Sequence, residues 1–341
     1  MSSLPSHLAS LQTPALIIDG PTARQNIAAM ATLLPGTKLR PHMKATKCTA
    51  LAKLQVQAGH TTFTCATTRE VVGMVKAGLG QDLLLANETV DASRLREMAL
   101  LQDAALITVA IDSDETLHAA STAGIRNVLI DVNVGLPRCG ISPDGAGRLA
   151  DRARNLGINV RGVMGYEGHL MMVTDKQEKI AKVEQCMALL RQAANDVGGE
   201  IISAGGTGTY DFHHSTGVTE IQAGSYSLMD TQYAQLHLPF KQAAFVVGTV
   251  ISSNPQWAVV DVGLKSLGMD HGNPSIDGHA VWFCSDEHTT FSPNDGPTPQ
   301  VGTRIRVTPA HIDPTVAQHE CAWVVENDEV VDRWEIDLRG W

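Results

Sequence analysis

Aromatic side chains are scarce in this 341-residue chain, at 4% of the total. Ala, Val, Leu and Ile fill their place, a composition that points to helices packed on buried parallel strands. Positive charge is also short. Lys and Arg number 26 against 36 Asp and Glu, a net charge of −10, and no basic run stands out. Nothing offers the basic face that a phosphate-backbone partner requires, so nucleic acid is excluded as a partner. No apolar stretch reaches the roughly 18–20 residues that span a bilayer, so no membrane partner is expected. Met1–Ser10 lacks the cationic start and apolar core of a secretory signal. Six cysteines (Cys48, Cys65, Cys139, Cys186, Cys284, Cys321) never fall into CxxC spacing. In a chain this long they read as buried thiols in a reducing cytoplasm, not as a disulfide framework. Solenoid repeats and low-complexity tracts are absent too.

What is present is a globular balance, 43% hydrophobic and 18% charged, in a chain long enough for two domains. From Lys38 to Ser227 short apolar runs alternate with amphipathic ones. The runs are Lys38–Lys44, Thr61–Thr67, Asp82–Asn87, Ala105–Asp112, Asn127–Val134, Asn159–Tyr166, Glu200–Gly206 and Glu220–Ser227. Between them, stretches such as Thr89–Leu101, Gly145–Leu156 and Lys176–Val197 carry apolar residues at helical spacing. Eight βα units of this kind predict an α/β fold, a (β/α)₈ TIM barrel, with an open doubly wound sheet as the alternative. After Leu238-Pro239 the pattern changes to short Val-, Ile-, Thr- and Trp-rich runs parted by turn-formers such as Asn254-Pro255 and Asn294-Asp295-Gly296-Pro297. An antiparallel β domain is expected there. The reading is therefore an N-terminal strand in residues 1–20 that belongs to either part, a barrel over 21–240, and a C-terminal β domain over 241–341.

Barrel enzymes carry reactive groups at the carboxyl ends of their strands. Polar and glycine-rich groups collect at those ends here: Arg40-Pro41-His42-Met43-Lys44, Arg138, Tyr166 with His169, Gly205-Gly206-Thr207-Gly208-Thr209, and Gly224-Ser225-Tyr226. Lys44 is a candidate Schiff-base former, with Arg40 as a cation that would lower its pKa. Position alone favours a solvated lysine with its stem on the barrel rim. Glycines at 205, 206 and 208 let backbone N–H groups approach an anion, and the Thr207 and Thr209 hydroxyls add donors. The loops after strands seven and eight are the usual phosphate site of such barrels. A lysine and a phosphate site in one mouth point to pyridoxal phosphate.

In the β domain, His311 and Asp313 stand two apart. An extended segment would turn both the same way, as a ligand pair for Mn²⁺, Mg²⁺ or Zn²⁺. Taken alone, the pair reads rather as a turn-capping Asp beside a structural His. Asp286-Glu287-His288 is either polar wall or solvated turn, and His213, His214 and His271 read as surface histidines.

At these motifs the chain resembles the pyridoxal-phosphate family that holds D-threonine aldolase, D-serine dehydratase and 3-hydroxy-D-aspartate aldolase. The matching stretches are TPALIID (Thr13–Asp19), RPHMKATK (Arg40–Lys47), RCG (Arg138–Gly140), GYEGH (Gly165–His169) and GGTGTY (Gly205–Tyr210). They continue with EIQAGSYSLMD (Glu220–Asp230), VVDVGLKSL (Val259–Leu267), SDEH (Ser285–His288) and PAHIDPT (Pro309–Thr315). The resemblance implies an alanine-racemase-like architecture, usually a homodimer. It implies that Lys44 bonds the cofactor, Arg138 and Tyr166 hold its ring, and Gly206, Thr207, Gly208, Thr209, Gly224, Ser225 and Tyr226 bind its phosphate. His311 and Asp313 would hold a divalent metal, Mn²⁺ or Mg²⁺ rather than Zn²⁺, and His169 would take the β-hydroxyl proton. Ala45-Thr46 departs from the Thr-His of many members.

The metal motif reads HxD, as in the aldolases, rather than the HxC of the zinc dehydratases. The expected activity is therefore cleavage of D-3-hydroxy-amino acids to glycine and an aldehyde. A dehydratase on the same substrates is the first alternative, and an amino-acid racemase a more distant one. A non-catalytic pyridoxal-phosphate carrier would resemble the barrel alone, whereas this chain keeps a β domain.

Overall fold

The computed structural model describes residues 5–341, so residues 1–4 of the N-terminal stretch read above lie outside the described residues. The chain opens with β1 (Ala15–Asp19) and α1 (Gly20–Leu33). It then alternates α2 (Thr49–Gln57), β2 (Thr62–Cys65), α3 (Thr68–Lys76), β3 (Asp82–Leu85), α4 (Ala92–Ala99), β4 (Ile107–Ile111), α5 (Asp114–Ala123) and β5 (Asn127–Asp131). The alternation continues through α6 (Pro143–Asn155), β6 (Asn159–Met164), α7 (Lys176–Val197), β7 (Ile201–Ala204), β8 (Glu220–Ile221) and a single-turn helix, α8 (Thr231–Ala234). Strands then dominate: β9 (Ala244–Ser253), β10 (Ala258–Val260), β11 (His279–Cys284), β12 (Thr289–Pro293) and β13 (Arg304–Val307). After α9 (Ile312–Gln318) come β14 (Cys321–Glu326) and β15 (Glu329–Glu335). Two compact units result. One takes the chain up to Met30, Ala45–Leu51 and Ser225–Gly340; the other takes Ala31–Lys44 and Ala52–Gly224.

In the second unit β2 to β8 form one parallel sheet in sequence order. The eighth stave is the expected first strand, and it is reduced to bridges. Leu39 pairs with Ile221 on one side and His42 with Thr64 on the other, both parallel, so the sheet closes into a barrel. Pro41 explains the reduction, since it has no N–H to extend a ladder. Its carbonyl still accepts the Thr64 amide at 2.9 Å. Leu84, Ala110, Leu129, Met164 and Ile201, one from each of five neighbouring strands, pack as a buried cluster. The helices start where their sequences provide caps. Ser113 and Thr116 form a capping box on α5, and Asp175 caps the 22-residue α7.

The amino ends of the staves hold charge. Arg40 is 1% exposed; its Nε donates to Glu220 at 2.7 Å and its Nη1 to Asp82 at 3.1 Å. Arg161 donates to both Asp82 oxygens, at 2.9 and 2.8 Å, and to Thr108 Oγ1 at 2.8 Å. The expectation that Arg40 acts as a cation on Lys44 is therefore corrected, because its guanidinium is turned to these carboxylates. Burial opposes its charge, but Glu220 and Asp82 hold its pKa above the ordinary value.

The first unit is built on an eight-stranded sheet with the order β11-β12-β10-β9-β1-β14-β15, and β13 joins on β9. β1 runs antiparallel to β9, with Ala15 opposite Val247, and parallel to β14, with Ile17 opposite Trp323. Leu8, Leu11, Ala15, Ile17, Val247, Val325 and Val330 form its buried core on one side. Sequence periodicity did not anticipate β12 or α9. Among the described residues no helix is long and apolar enough to cross a membrane. All six cysteines are free thiols, but Cys139, Cys284 and Cys321 are only half-buried, not buried as expected.

Candidate active site

In the barrel unit, the turn after stave 39–42 carries Lys44, half-buried, whose backbone amide lies 3.4 Å from His42 Nδ1. The loop after β5 is shaped by Asn133, which accepts from the Gly135 amide at 2.9 Å and donates to Leu136 O at 3.2 Å. Gly140 of the RCG motif crosses this loop so closely that a Cβ would sit 2.4 Å from Asn133 N, and its φ of +103° suits glycine. That crossing presents Arg138, whose guanidinium lies 5.3 Å from the centroid of the Tyr166 ring, a cation–π contact. Gly168 packs under the same ring, since a Cβ there would meet Tyr166 Cε1 at 2.3 Å. His169 is exposed and lies over the bare backbone of Gly135, where an added Cβ would approach its Cε1 to 3.3 Å.

The loop after β7 is wholly buried from Gly205 to Thr209. A Cβ on Gly208 would meet the Met171 carbonyl at 2.5 Å, and one on Gly206 would meet Met171 Sδ at 3.0 Å. The Thr209 hydroxyl, expected as an anion donor, instead donates to Glu167 Oε1 at 2.6 Å. His213, expected at the surface, is 6% exposed with its Nε2 3.0 Å from the same oxygen. His214 is exposed as expected.

Near Arg138 the structure adds a feature that the sequence reading missed. Asp131 closes β5 with its side chain buried beside Glu88, and a small cavity there is lined by Asp131, Asn133, Arg138, Cys139 and Tyr166. Burial, followed by the charge of Glu88, pushes Asp131 up to about 9 against the opposing effect of Arg138. Asp131 therefore holds its proton at neutral pH. Its strand-end position was the available signal.

In the β unit, His311 caps α9 and Asp313 lies in its first turn, so the extended geometry expected for the pair is corrected. Asp313 Oδ1 accepts from Ser225 Oγ at 3.0 Å. Tyr226 is fully buried against Phe240, with ring centroids 5.5 Å apart. His311 Nδ1 lies 2.7 Å from Asp270 Oδ2, and its ring stacks on His271 with centroids 3.9 Å apart. One ligand atom from each of Asp270, His271 and His311 falls within 4.8 Å of the others. His271, expected as an ordinary surface histidine, thus belongs to a donor cluster. Burial and the neighbouring His311 lower its pKa, favouring the neutral, ligating form. Buried Asp230 accepts from the Ile312 amide at 3.0 Å and so fixes the backbone between His311 and Asp313. Asp286 and Glu287 pair with Lys265 at the surface, the solvated-turn alternative.

The donor sets fit the groups they suggest. In the barrel unit, glycines with no room for a Cβ and a lysine after the stave 39–42 suit a phosphorylated aldehyde. Imidazole beside carboxylate suits a divalent ion. The parallel barrel followed by the β domain is an alanine-racemase-like architecture.

Comparison with known proteins narrows this. The model of the "Alanine racemase, N-terminal domain" matches residues 18–232, and that of the "Putative serine dehydratase domain" matches 243–325. The chain is 34% identical to a D-threonine aldolase of Arthrobacter sp. over 98% of its own length and 94% of that protein's. A 3-hydroxy-D-aspartate aldolase of Paracoccus denitrificans (strain Pd 1222) is 29% identical, over 97% of this chain and 92% of that one. The crystal structure of D-threonine aldolase from Filomicrobium marinum superposes with a TM-score of 0.93 at 32% identity, covering 99% and 98% of the two chains. This chain belongs to the D-threonine aldolase and D-serine dehydratase-like family. Membership makes it an alanine-racemase-like enzyme and implies pyridoxal phosphate as its cofactor.

Proposed function

We propose that the protein is a metal-dependent aldolase that cleaves D-3-hydroxy-amino acids to glycine and an aldehyde. Full-length similarity to D-threonine aldolase, with a carboxylate at position 313, is the observation that carries the reading. Bound pyridoxal phosphate supplies a covalent anchor for an amine and an electron sink for cleavage at Cα. A divalent ion supplies Lewis acidity toward a hydroxyl. Lys44 would hold the cofactor through its side-chain amine. Arg138 and Tyr166 would flank the ring, and Gly206, Thr207, Gly208, Gly224, Ser225 and Tyr226 would hold the phosphate, while Thr209 is turned to Glu167. His311 and Asp313 hold the ion, Mn²⁺ or Mg²⁺, because one ligand is a hard carboxylate. His169 accepts the β-hydroxyl proton, which makes the Cα–Cβ bond the one that breaks. A homodimer, as in the family, and a cytoplasmic home for six free thiols complete the reading.

Incubation with D-threonine tests it: glycine and acetaldehyde are expected, whereas a 2-oxo acid and ammonia would make the enzyme a dehydratase. His169→Ala should slow glycine release by about 10²–10⁴, the usual contribution of a general base, without loss of bound cofactor. A rate near wild type would remove His169 from the chemistry. Asp270→Asn should weaken metal binding by about 10–100-fold, since a carboxylate on Nδ1 orients His311 and raises its basicity. Equilibrium dialysis against Mn²⁺ reads this directly, and unchanged affinity would count against His311 as a ligand. Asp313→Ala should lower the bound metal outright.

A further inference from the structure

We propose that Glu167 is a positioning residue that sets the Gly205–Thr209 loop for the cofactor's phosphate, with His213 as its partner. The proposal rests on the reading of that loop as the phosphate site. Glu167 is 0% exposed, and its carboxylate bonds to Gly205, Thr209 and His213, all in the chain between β7 and β8. Its Oε2 accepts the Gly205 amide at 3.2 Å, and its Oε1 accepts the Thr209 hydroxyl at 2.6 Å and His213 Nε2 at 3.0 Å. Thr209 Oγ1 in turn accepts the Gly206 amide at 3.2 Å. One carboxylate therefore fixes the loop at both ends, directly and through Thr209.

An ionised carboxylate buried this deeply costs several kcal/mol unless donors surround it, so a site needing only packing would use an apolar residue. The donors here outweigh burial. Hydrogen bonds from His213 and Thr209 hold the Glu167 carboxyl below its ordinary range although burial pushes it up. A second buried charge secures the other side of the loop. Lys179 Nζ, on α7, donates to Gly208 O at 2.9 Å and Met171 O at 3.0 Å. Gly208 packs directly on the Met171 backbone, where a Cβ would meet the carbonyl oxygen at 2.5 Å.

Position in the chain gives the arrangement its purpose. Glu167 lies between Tyr166 and Gly168-His169 of the GYEGH motif. It thus ties the segment proposed to flank the ring to the segment proposed to hold the phosphate. Glu167 acts through the loop and need not touch the cofactor.

The test uses the full chain stripped of cofactor with hydroxylamine and titrated with pyridoxal phosphate or pyridoxal, which lacks the phosphate. Glu167→Gln is expected to weaken pyridoxal phosphate binding by about ten- to a hundredfold, the range for lost hydrogen bonds to a charged group, and pyridoxal binding by less than about twofold. A merely structural role would weaken both alike, and that result, or no loss for either, overturns the proposal. Two further variants serve if Glu167→Gln does not fold. His213→Gln, which keeps a donor for the carboxylate, should retain the preference for the phosphorylated form, and His213→Leu should lose it. Equal behaviour of these two also overturns the proposal. Wild-type protein that binds pyridoxal as tightly as pyridoxal phosphate would instead remove the phosphate-loop reading itself.

Discussion

Lys44→Ala is expected to yield a protein from which borohydride traps no pyridoxyl group and whose turnover falls by more than the ~10²–10⁴ that a lost proton-transfer group costs. A covalent anchor differs from a general base in that no solvent species replaces its positioned amine. Two lysines compete for the role. Lys44 ends the barrel-closing stave and is half-buried within the barrel unit. Lys47 belongs to the other unit, has a left-handed φ of 44°, and its carbonyl accepts the Leu338 amide at 3.0 Å. Its backbone thus serves the β unit. Peptide mapping after borohydride reduction should find pyridoxyl on Lys44 alone, and a label on Lys47 would end the assignment.

Asp82→Ala should destabilise the fold by about 3–5 kcal/mol, read as a shift in denaturant midpoint, because it strips the shared carboxylate from two enclosed guanidinium groups. Arg40 and Arg161 both donate to Asp82, and their side chains are 2% and 10% exposed. Glu220 remains for Arg40, whereas among the described residues Arg161 keeps Thr108 and a distant contact of 3.9 Å to Glu200. The sign with pH follows from Asp82 itself. Burial alone would raise its pKa, but Arg161 and Arg40 hold it below the ordinary 3.8. Its contribution is therefore complete above about pH 4 and lost as pH falls further, through the folded-state value. Wild type and Asp82→Asn should converge in stability at the acid end, and a constant gap would place the effect in packing.

Much of this was legible in the sequence where a period or a motif carried it. Strands β2 to β8 fall within the apolar runs because a strand buried on both faces needs such a run, and α7 starts and ends on the residues its spacing indicates. The misses have physical reasons. Pro41 sits inside a run that reads as a strand and leaves only bridges there. His311 and Asp313 read as an extended pair from their two-residue spacing, yet proline is tolerated in a first turn, and α9 places Pro314 there. β12 is Thr- and Ser-rich and resembles the turns beside it. Glu167 and His213 were invisible for another reason. Nothing local marks a glutamate or a histidine as buried when its partners arrive from a loop some forty residues away.

The stave that carries Lys44 is joined to its neighbours by few backbone hydrogen bonds: Arg40 N to Ile221 O, His42 N to Ala223 O, and Thr64 N to Pro41 O. A barrel opens first where its ladder is thinnest. The amides of Leu39, Arg40 and His42–Lys44 should thus exchange with solvent ahead of those in β3 to β6, so transient local opening, rather than global unfolding, would govern how readily the lysine is exposed to foreign carbonyl compounds.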